Sequence, residues 1–192
     1  MTPARFFDPS APVQPDQYQA EFDALLAIYR SLQPHRVLEI GVREGGSLYQ
    51  WLKNAPRGAE ICVVDQPGLN WGCPVPPDVS GWYGWAGRFS CRLSVHLGDS
   101  HEEDALEFIA ENAPFDFVFI DGDHSAAGVL MDVLAVAGCT RVIALHDIYP
   151  DATDGKIEIW RVWPFLRRMF PDNAELTSED NQQSRGIGVL YV

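Results

Sequence analysis

Short apolar runs of strand length alternate along this chain with stretches of helical periodicity, and that alternation admits few architectures. The strand-like runs are Arg36–Gly41, Glu60–Asp65, Leu93–Gly98, Phe115–Asp121 and Arg141–His146. Between most of them lie helical patterns at Gly46–Asn54, His101–Asn112 and Ser125–Gly138. Continuous apolar strands such as FDFVFI suit a parallel sheet covered on both faces, whereas a half-solvated sheet would show alternation. Strand–helix alternation then predicts a doubly wound α/β domain. Ahead of it, Asp16–Leu32 reads as an amphipathic helix, because Phe22, Leu25, Leu26 and Tyr29 recur at three- and four-residue intervals and Pro34 stops it. Behind it, Lys156–Phe170 reads as a helix interrupted at Pro164, followed by strands at Ala174–Ser178 and Gly186–Val192. The whole predicts one domain over 1–192, with a mostly parallel seven-stranded sheet that ends in an antiparallel hairpin. Residues 1–35 form its N-terminal extension and helix.

One segment breaks the rhythm. Gln66–Ser90 joins two core strands but holds four prolines and three tryptophans, Trp71, Trp82 and Trp85. It reads as an insertion loop, 66–90, and long loops in compact domains are usually functional. Two readings stay open: a flap packed on its own aromatics, or a cover over a substrate.

Composition narrows the function. The formal net charge of −13 repels phosphate backbones and gives no counterion-release driving force, so neither nucleic acid nor an anionic membrane is an expected partner. No apolar run approaches the ~18–20 residues that a membrane helix requires. The proline-rich start lacks the order of a signal peptide, and a cytoplasmic domain is expected. The four cysteines, Cys62, Cys73, Cys91 and Cys139, show no CxxC spacing and are read as reduced thiols. Whether copies of the chain associate as a homo-oligomer is left open.

In open α/β sheets, ligands sit at the carboxyl ends of the strands near the point where strand order reverses, so the residues ending each strand carry the chemistry. The first ends in LEIGVREGGS, with Glu39, Gly41, Gly45, Gly46 and Ser47. Its glycines permit a tight turn and a close backbone approach to a ligand. The second glycine comes too late for the GxGxxG dinucleotide pattern, which argues against an NAD-binding oxidoreductase. The second strand ends at Asp65, spaced to accept hydrogen bonds from a ribose diol. The third ends in GDS, where Asp99 and Ser100 would meet an adenine edge, unless Asp99 merely caps the next helix. Together these ends describe a nucleoside pocket. The fourth ends in IDGDHS and the fifth in LHDIY, which sets Asp121, Asp123 and His124 opposite His146 and Asp147. Carboxylates gathered with imidazoles call for a compensating cation; helix capping by Asp123 or Ser125 is the alternative.

These motifs resemble those of class I S-adenosylmethionine-dependent methyltransferases, and more narrowly the macrocin O-methyltransferase-like and cephalosporin hydroxylase-like family. VLEIGVREGGSL, FVFIDGDHS and VIALHDIY carry the resemblance, over roughly Val37 to Tyr149, with GIGVLYV similar to the family's last strand. The resemblance implies a Rossmann-like methyltransferase fold and S-adenosylmethionine held by Glu39, Gly41, Ser47, Asp65 and Asp99, to which the strand ends add Gly45 and Ser100. It also implies a divalent metal, magnesium or manganese, on Asp121, His146 and Asp147. The imidazole at position 146 favours manganese, iron or zinc over magnesium. Asp123 or His124 would then take the acceptor's proton; without metal, His124 or His146 would be the base. The expected activity is O-methylation of a small hydroxylated acceptor, a sugar or a phenolic metabolite. A non-methylating protein that keeps the cofactor pocket is the alternative.

Overall fold

The computed structural model describes residues 4–68, 78–150, 157–177 and 185–192. Seven strands form one sheet: β1 (Arg36–Ile40), β2 (Glu60–Asp65), β3 (Arg92–Leu97), β4 (Phe117–Ile120), β5 (Val142–His146), β6 (Asn173–Leu176) and β7 (Ile187–Tyr191). Their spatial order is β3-β2-β1-β4-β5-β7-β6. The first five run parallel, and β7 lies antiparallel between β5 and β6. Strand order reverses between β1 and β4, and that switch point opens a crevice at the strands' carboxyl ends.

Six helices cover the sheet: α1 (Gln19–Leu32), α2 (Gly46–Asn54), α3 (Val79–Phe89), α4 (Glu103–Asn112), α5 (Ala126–Val136) and α6 (Ile159–Met169). Successive strand residues divide between two cores, as the pleat requires. Val37, Ile61, Val63, Phe117 and Phe119 pack with α1, α2 and α3. Leu38, Ile40, Cys62, Val64, Val118 and Ile120 pack with α4, α5 and α6. The first core is aromatic at its centre: Trp51 meets Phe22, Tyr29, Phe117 and Phe119 at ring separations of 5.0–5.4 Å. Such pairs stabilise by about 0.5–1.5 kcal/mol beyond their buried area.

The structure corrects the reading of 66–90 as a loop. Residues 79–89 form α3, whose N-cap Asp78 accepts a hydrogen bond from the Gly81 N–H. Trp82 is 1% exposed in the core beneath it, and Trp85 stacks edge-on against Tyr49 at 5.4 Å. Burial of Trp82 and Ala86 on one face outweighs the low helix propensity of Gly81, Gly84 and Gly87. Trp71 and Cys73 lie outside the described residues, as do Lys156 and Ser178 at the edges of two expected elements. Pro164 lies inside α6 without ending it. Its missing N–H removes one rung, and the buried side chains Ile159, Trp163 and Leu166 hold the helix on the sheet.

Candidate functional site

Gly41 closes β1 with φ +86°, and a side chain there would collide with the Asp121 carbonyl oxygen at 2.3 Å. Only glycine fits both demands, so the first loop crosses directly against the end of β4. The loop is tied to β2 by Asp65, whose Oδ1 accepts the Val42 and Arg43 N–H groups at 2.8 and 3.1 Å. Asp65 Oδ2 is buried and has no hydrogen-bond partner among the described residues. A buried carboxylate oxygen left this way costs free energy unless a ligand donor meets it.

A cavity of about 740 Å³ opens along these strand ends, in the range of small-molecule sites. Its wall takes in Gly41, Ser47, Asp65, Asp99, Ser100 and His101 on one side, and Asp121, His124, His146 and Asp147 on the other. The N-terminal segment forms a further wall through residues 13–17. Gln17 donates from Nε2 to Asp121 Oδ2 at 2.7 Å, Asp16 pairs with Arg43, and Asp8 anchors the segment on Lys53 at 2.6 Å and Gln50 at 2.9 Å. Sequence reasoning missed this wall. Gln17 and Asp121 are 104 residues apart, and no local pattern signals such a contact.

The acidic cluster forms where β4 and β5 end side by side. His124 Nδ1 lies 3.1 Å from Asp147 Oδ2, and its Nε2 lies 3.5 Å from Asp121 Oδ1. His146 Nδ1 lies 3.1 Å from Asp121 Oδ1 and 3.5 Å from Asp147 Oδ1, and Arg185 Nε stands 3.8 Å from the latter oxygen. Asp147 has φ +60°, a left-handed conformation that aspartate tolerates better than most residues. Burial alone would raise its pKa, but the charges of His146, the His124 hydrogen bond and Arg185 bring it to about 2. Burial likewise opposes charge on both imidazoles. The Asp147 and Asp121 carboxylates outweigh it, raising His146 to about 9 and holding His124 above the ordinary histidine value.

One ligand atom from each of Asp121, His124 and Asp147 falls within 4.8 Å of the others, the spacing of a metal-binding group. The expected set had His146 in the place of His124, and both imidazoles line the cavity beside the two carboxylates. His146 is 2% exposed, and its Nδ1 is turned to both carboxylates as a buried counter-charge.

Four other expected positions, of which Asp123 and Ser100 line the cavity and Glu39 and Gly45 do not, have partners within the protein. Asp123 is exposed and accepts from the Ser125 N–H and hydroxyl at 2.8 and 3.0 Å, while Ser125 caps α5 by accepting from the Gly128 N–H. Asp123 braces Ser125 at the helix terminus and also lies on the cavity wall. Glu39 shares the Val37 face of β1, lies fully buried and accepts from Ser47 Oγ, so it supports the cavity wall without lining it. Burial pushes its carboxyl up to about 8. Gly45 has φ +92° at the start of α2, and a Cβ there would meet Trp82 Nε1 at 2.5 Å. It makes room for an indole, not for a ligand. Ser100 lines the cavity, but its hydroxyl donates to Asp132 at 2.8 Å.

A family model described as a methyltransferase domain matches residues 38–148. No curated protein matches the sequence. Among solved structures, an O-methyltransferase from Bacillus cereus in complex with SAH aligns with a TM-score of 0.66 at 18% identity, over 99% of this chain and 84% of that one. The O-methyltransferase TomG from Streptomyces achromogenes, involved in tomaymycin synthesis and solved with SAM, gives 0.61 at 16% identity, over 93% and 82%. The methyltransferase MycE from the mycinamycin biosynthetic pathway, in complex with Mg, SAH and mycinamycin VI, gives 0.56 at 21% identity, over 88% of this chain and 48% of MycE. At these identities the likeness is one of fold.

Proposed function

The chain belongs to the methyltransferase-domain family whose model spans residues 38–148, and from that membership we propose an S-adenosylmethionine-dependent O-methyltransferase that acts on a small hydroxylated acceptor, a sugar or a phenol, with help from a divalent metal. One observation carries the reading. A single cavity holds both a buried carboxylate oxygen without a partner among the described residues, Asp65 Oδ2, and a metal-like triad, Asp121, His124 and Asp147. The relatives in complex with SAH, with SAM, and with Mg and SAH together support the same pairing of ligands.

When bound, S-adenosylmethionine supplies a methyl group on a sulfonium, open to in-line displacement. Asp65 would hold its ribose through Oδ2, since Oδ1 is already engaged by the Val42 and Arg43 N–H groups. Gly41 lets the backbone come close, and Ser47 lines the same wall, fixed from behind by Glu39. Fixing two reactants in line can remove roughly 7–11 kcal/mol of barrier in the best cases. A divalent ion on Asp121, His124 and Asp147 would lower the pKa of an acceptor hydroxyl. The donor set fits such an ion: two carboxylates and one imidazole, gathered at the ends of two neighbouring strands. One nitrogen ligand favours manganese, iron or zinc over magnesium.

The His124–Asp147 pair favours one competing reading. An imidazole held through Nδ1 at 3.1 Å from a buried carboxylate is oriented as a general base, a role worth about 10²–10⁴-fold. Transfer of a labelled methyl group to a panel of sugars and phenols, with and without chelator, separates the two. The metal reading predicts that chelator abolishes transfer and that manganese restores it at least as well as magnesium. Full transfer in chelator, with no metal bound, assigns the proton to His124 instead. Tight cofactor binding with no transfer to any hydroxyl would contradict the methyltransferase assignment.

A further inference from the structure

Helices α4, α5 and α6 lie side by side over the second core, with α5 in the middle. Each joins two strands that run the same way, β3 to β4, β4 to β5 and β5 to β6, so all three return against the sheet and share one direction. The middle helix is apolar almost throughout. Its one polar side chain, Asp132, is buried against the sheet side with Val129, Val133 and Val136. Ala127, Met131 and Leu134, at i, i+4 and i+7, form the opposite face and are exposed, Leu134 to 70%. A helix that is apolar all round is normally buried on every side, and exposed apolar surface of this kind marks a place of contact.

The two flanks of that face carry opposite charge. On α4, Glu103 and Glu107 stand exposed on the side away from buried Ala105 and Ile109, and the helix holds no basic residue. On α6, Arg161 and Arg168 stand exposed around Phe165, on the side away from buried Ile159, Trp163 and Leu166, and the helix holds no acid. Arg161 also pairs with Glu158 at 3.0 Å, at the solvent-facing start of the helix. The layer is therefore a strip that runs from acidic, through apolar, to basic.

We infer that this layer is the interface of a homodimer, in which α5 packs on α5 of a second copy about a two-fold axis parallel to the helices. That axis lays the acidic α4 of each protomer over the basic α6 of the other, and both copies use the same patch, as an isologous contact requires. An axis across the helices would set α4 on α4 and α6 on α6, like charge on like. Charge also selects the occupant. An anionic membrane would attract α6 but be repelled by α4 in the same layer. A partner of one charge would satisfy one flank only, whereas a second copy satisfies both. With a net charge of −13, two copies repel each other unless their contact is paired in this way. Methionine, aromatic residues and arginine, the types exposed here, are those enriched in such interfaces.

Sedimentation velocity tests the inference. The wild-type chain should run as a dimer at about 10 µM. Leu134→Glu puts an unpaired charge into the apolar centre and should raise the dissociation constant at least about tenfold, with an unchanged circular dichroism spectrum. Two charge-reversed chains make the test specific to this geometry. Arg161→Glu with Arg168→Glu, and separately Glu103→Arg with Glu107→Arg, should each be monomeric alone, because like charges then face each other on both flanks. Mixed, they should recover the dimer, since each flank again pairs opposite charges. Two misfolded chains would not restore each other in this way. A wild-type chain that stays monomeric at about 100 µM overturns the inference, and so does one that instead floats with phosphatidylserine vesicles. A dimer that survives Leu134→Glu, or reversed chains that stay apart when mixed, overturns it equally.

Discussion

Glu39 is a carboxylic acid sealed inside the fold. Its place in the first motif suggested contact with the cofactor, yet it is fully buried behind Ser47 with its carboxyl raised to about 8. The folded protein therefore holds a proton that the unfolded chain, with a glutamate pKa near the ordinary 4.5, releases. Stability from this group is complete below the unfolded value, falls as pH rises through the window from 4.5 to about 8, and is lost above it. Glu39→Gln keeps a hydrogen-bonding partner for Ser47 and removes the titration. Its thermal midpoint should match wild type near the bottom of that window and exceed it by several degrees at the top, as scanning calorimetry across pH would show. A constant difference at all pH values would mean that Glu39 is charged in the fold. DGDH in the sequence offers two acids, and only the geometry shows that Asp123 accepts from Ser125 at the α5 terminus while Asp121 belongs to the triad.

At the scale of elements, the strands were legible because a doubly covered parallel strand is apolar on both faces, as VLEI, ICVV and FVFI are. The expected Phe115 and Arg141 starts ran one or two residues early, since Phe115 only bridges to Thr140 and Val142 opens β5. The helix α3 was not legible, because four prolines precede it and three glycines lie within it, and it holds on tertiary packing. Trp82 is then a core residue, donating to the Glu44 carbonyl at 3.3 Å as well as packing on Gly45. Trp82→Ala should cost about 3–5 kcal/mol in urea unfolding, the usual range for a buried aromatic. Trp85→Ala, half-buried, should cost less. Unchanged stability with lost turnover in Trp82→Ala would instead make this segment a substrate cover. The N-terminal wall was equally hidden, for its contacts with Asp121 and Lys53 join residues 104 and 45 positions apart.

For the whole molecule, strand order and polarity bring five strand ends that are far apart in sequence to one crevice. The net charge of −13 remains consistent with a small-molecule partner, and no helix among the described residues is long and apolar enough to cross a membrane. The site was readable in outline, since its acids and glycines end strands whose order follows from the alternation. Its division of labour was not, because the choice between His124 and His146, or between Asp65 as loop tie and as ligand, depends on distances of a few tenths of an ångström. Asp65 ties the loop through Oδ1 and also lines the cavity, and that makes it the place to test the central claim. Titration calorimetry of the full chain with S-adenosylmethionine should show one site of about micromolar affinity, near 8 kcal/mol. Asp65→Ala should weaken it by about 1.5–3 kcal/mol through loss of the charged acceptor. No heat of binding to the wild-type chain, or an Asp65→Ala variant that binds as tightly as wild type, would contradict the account.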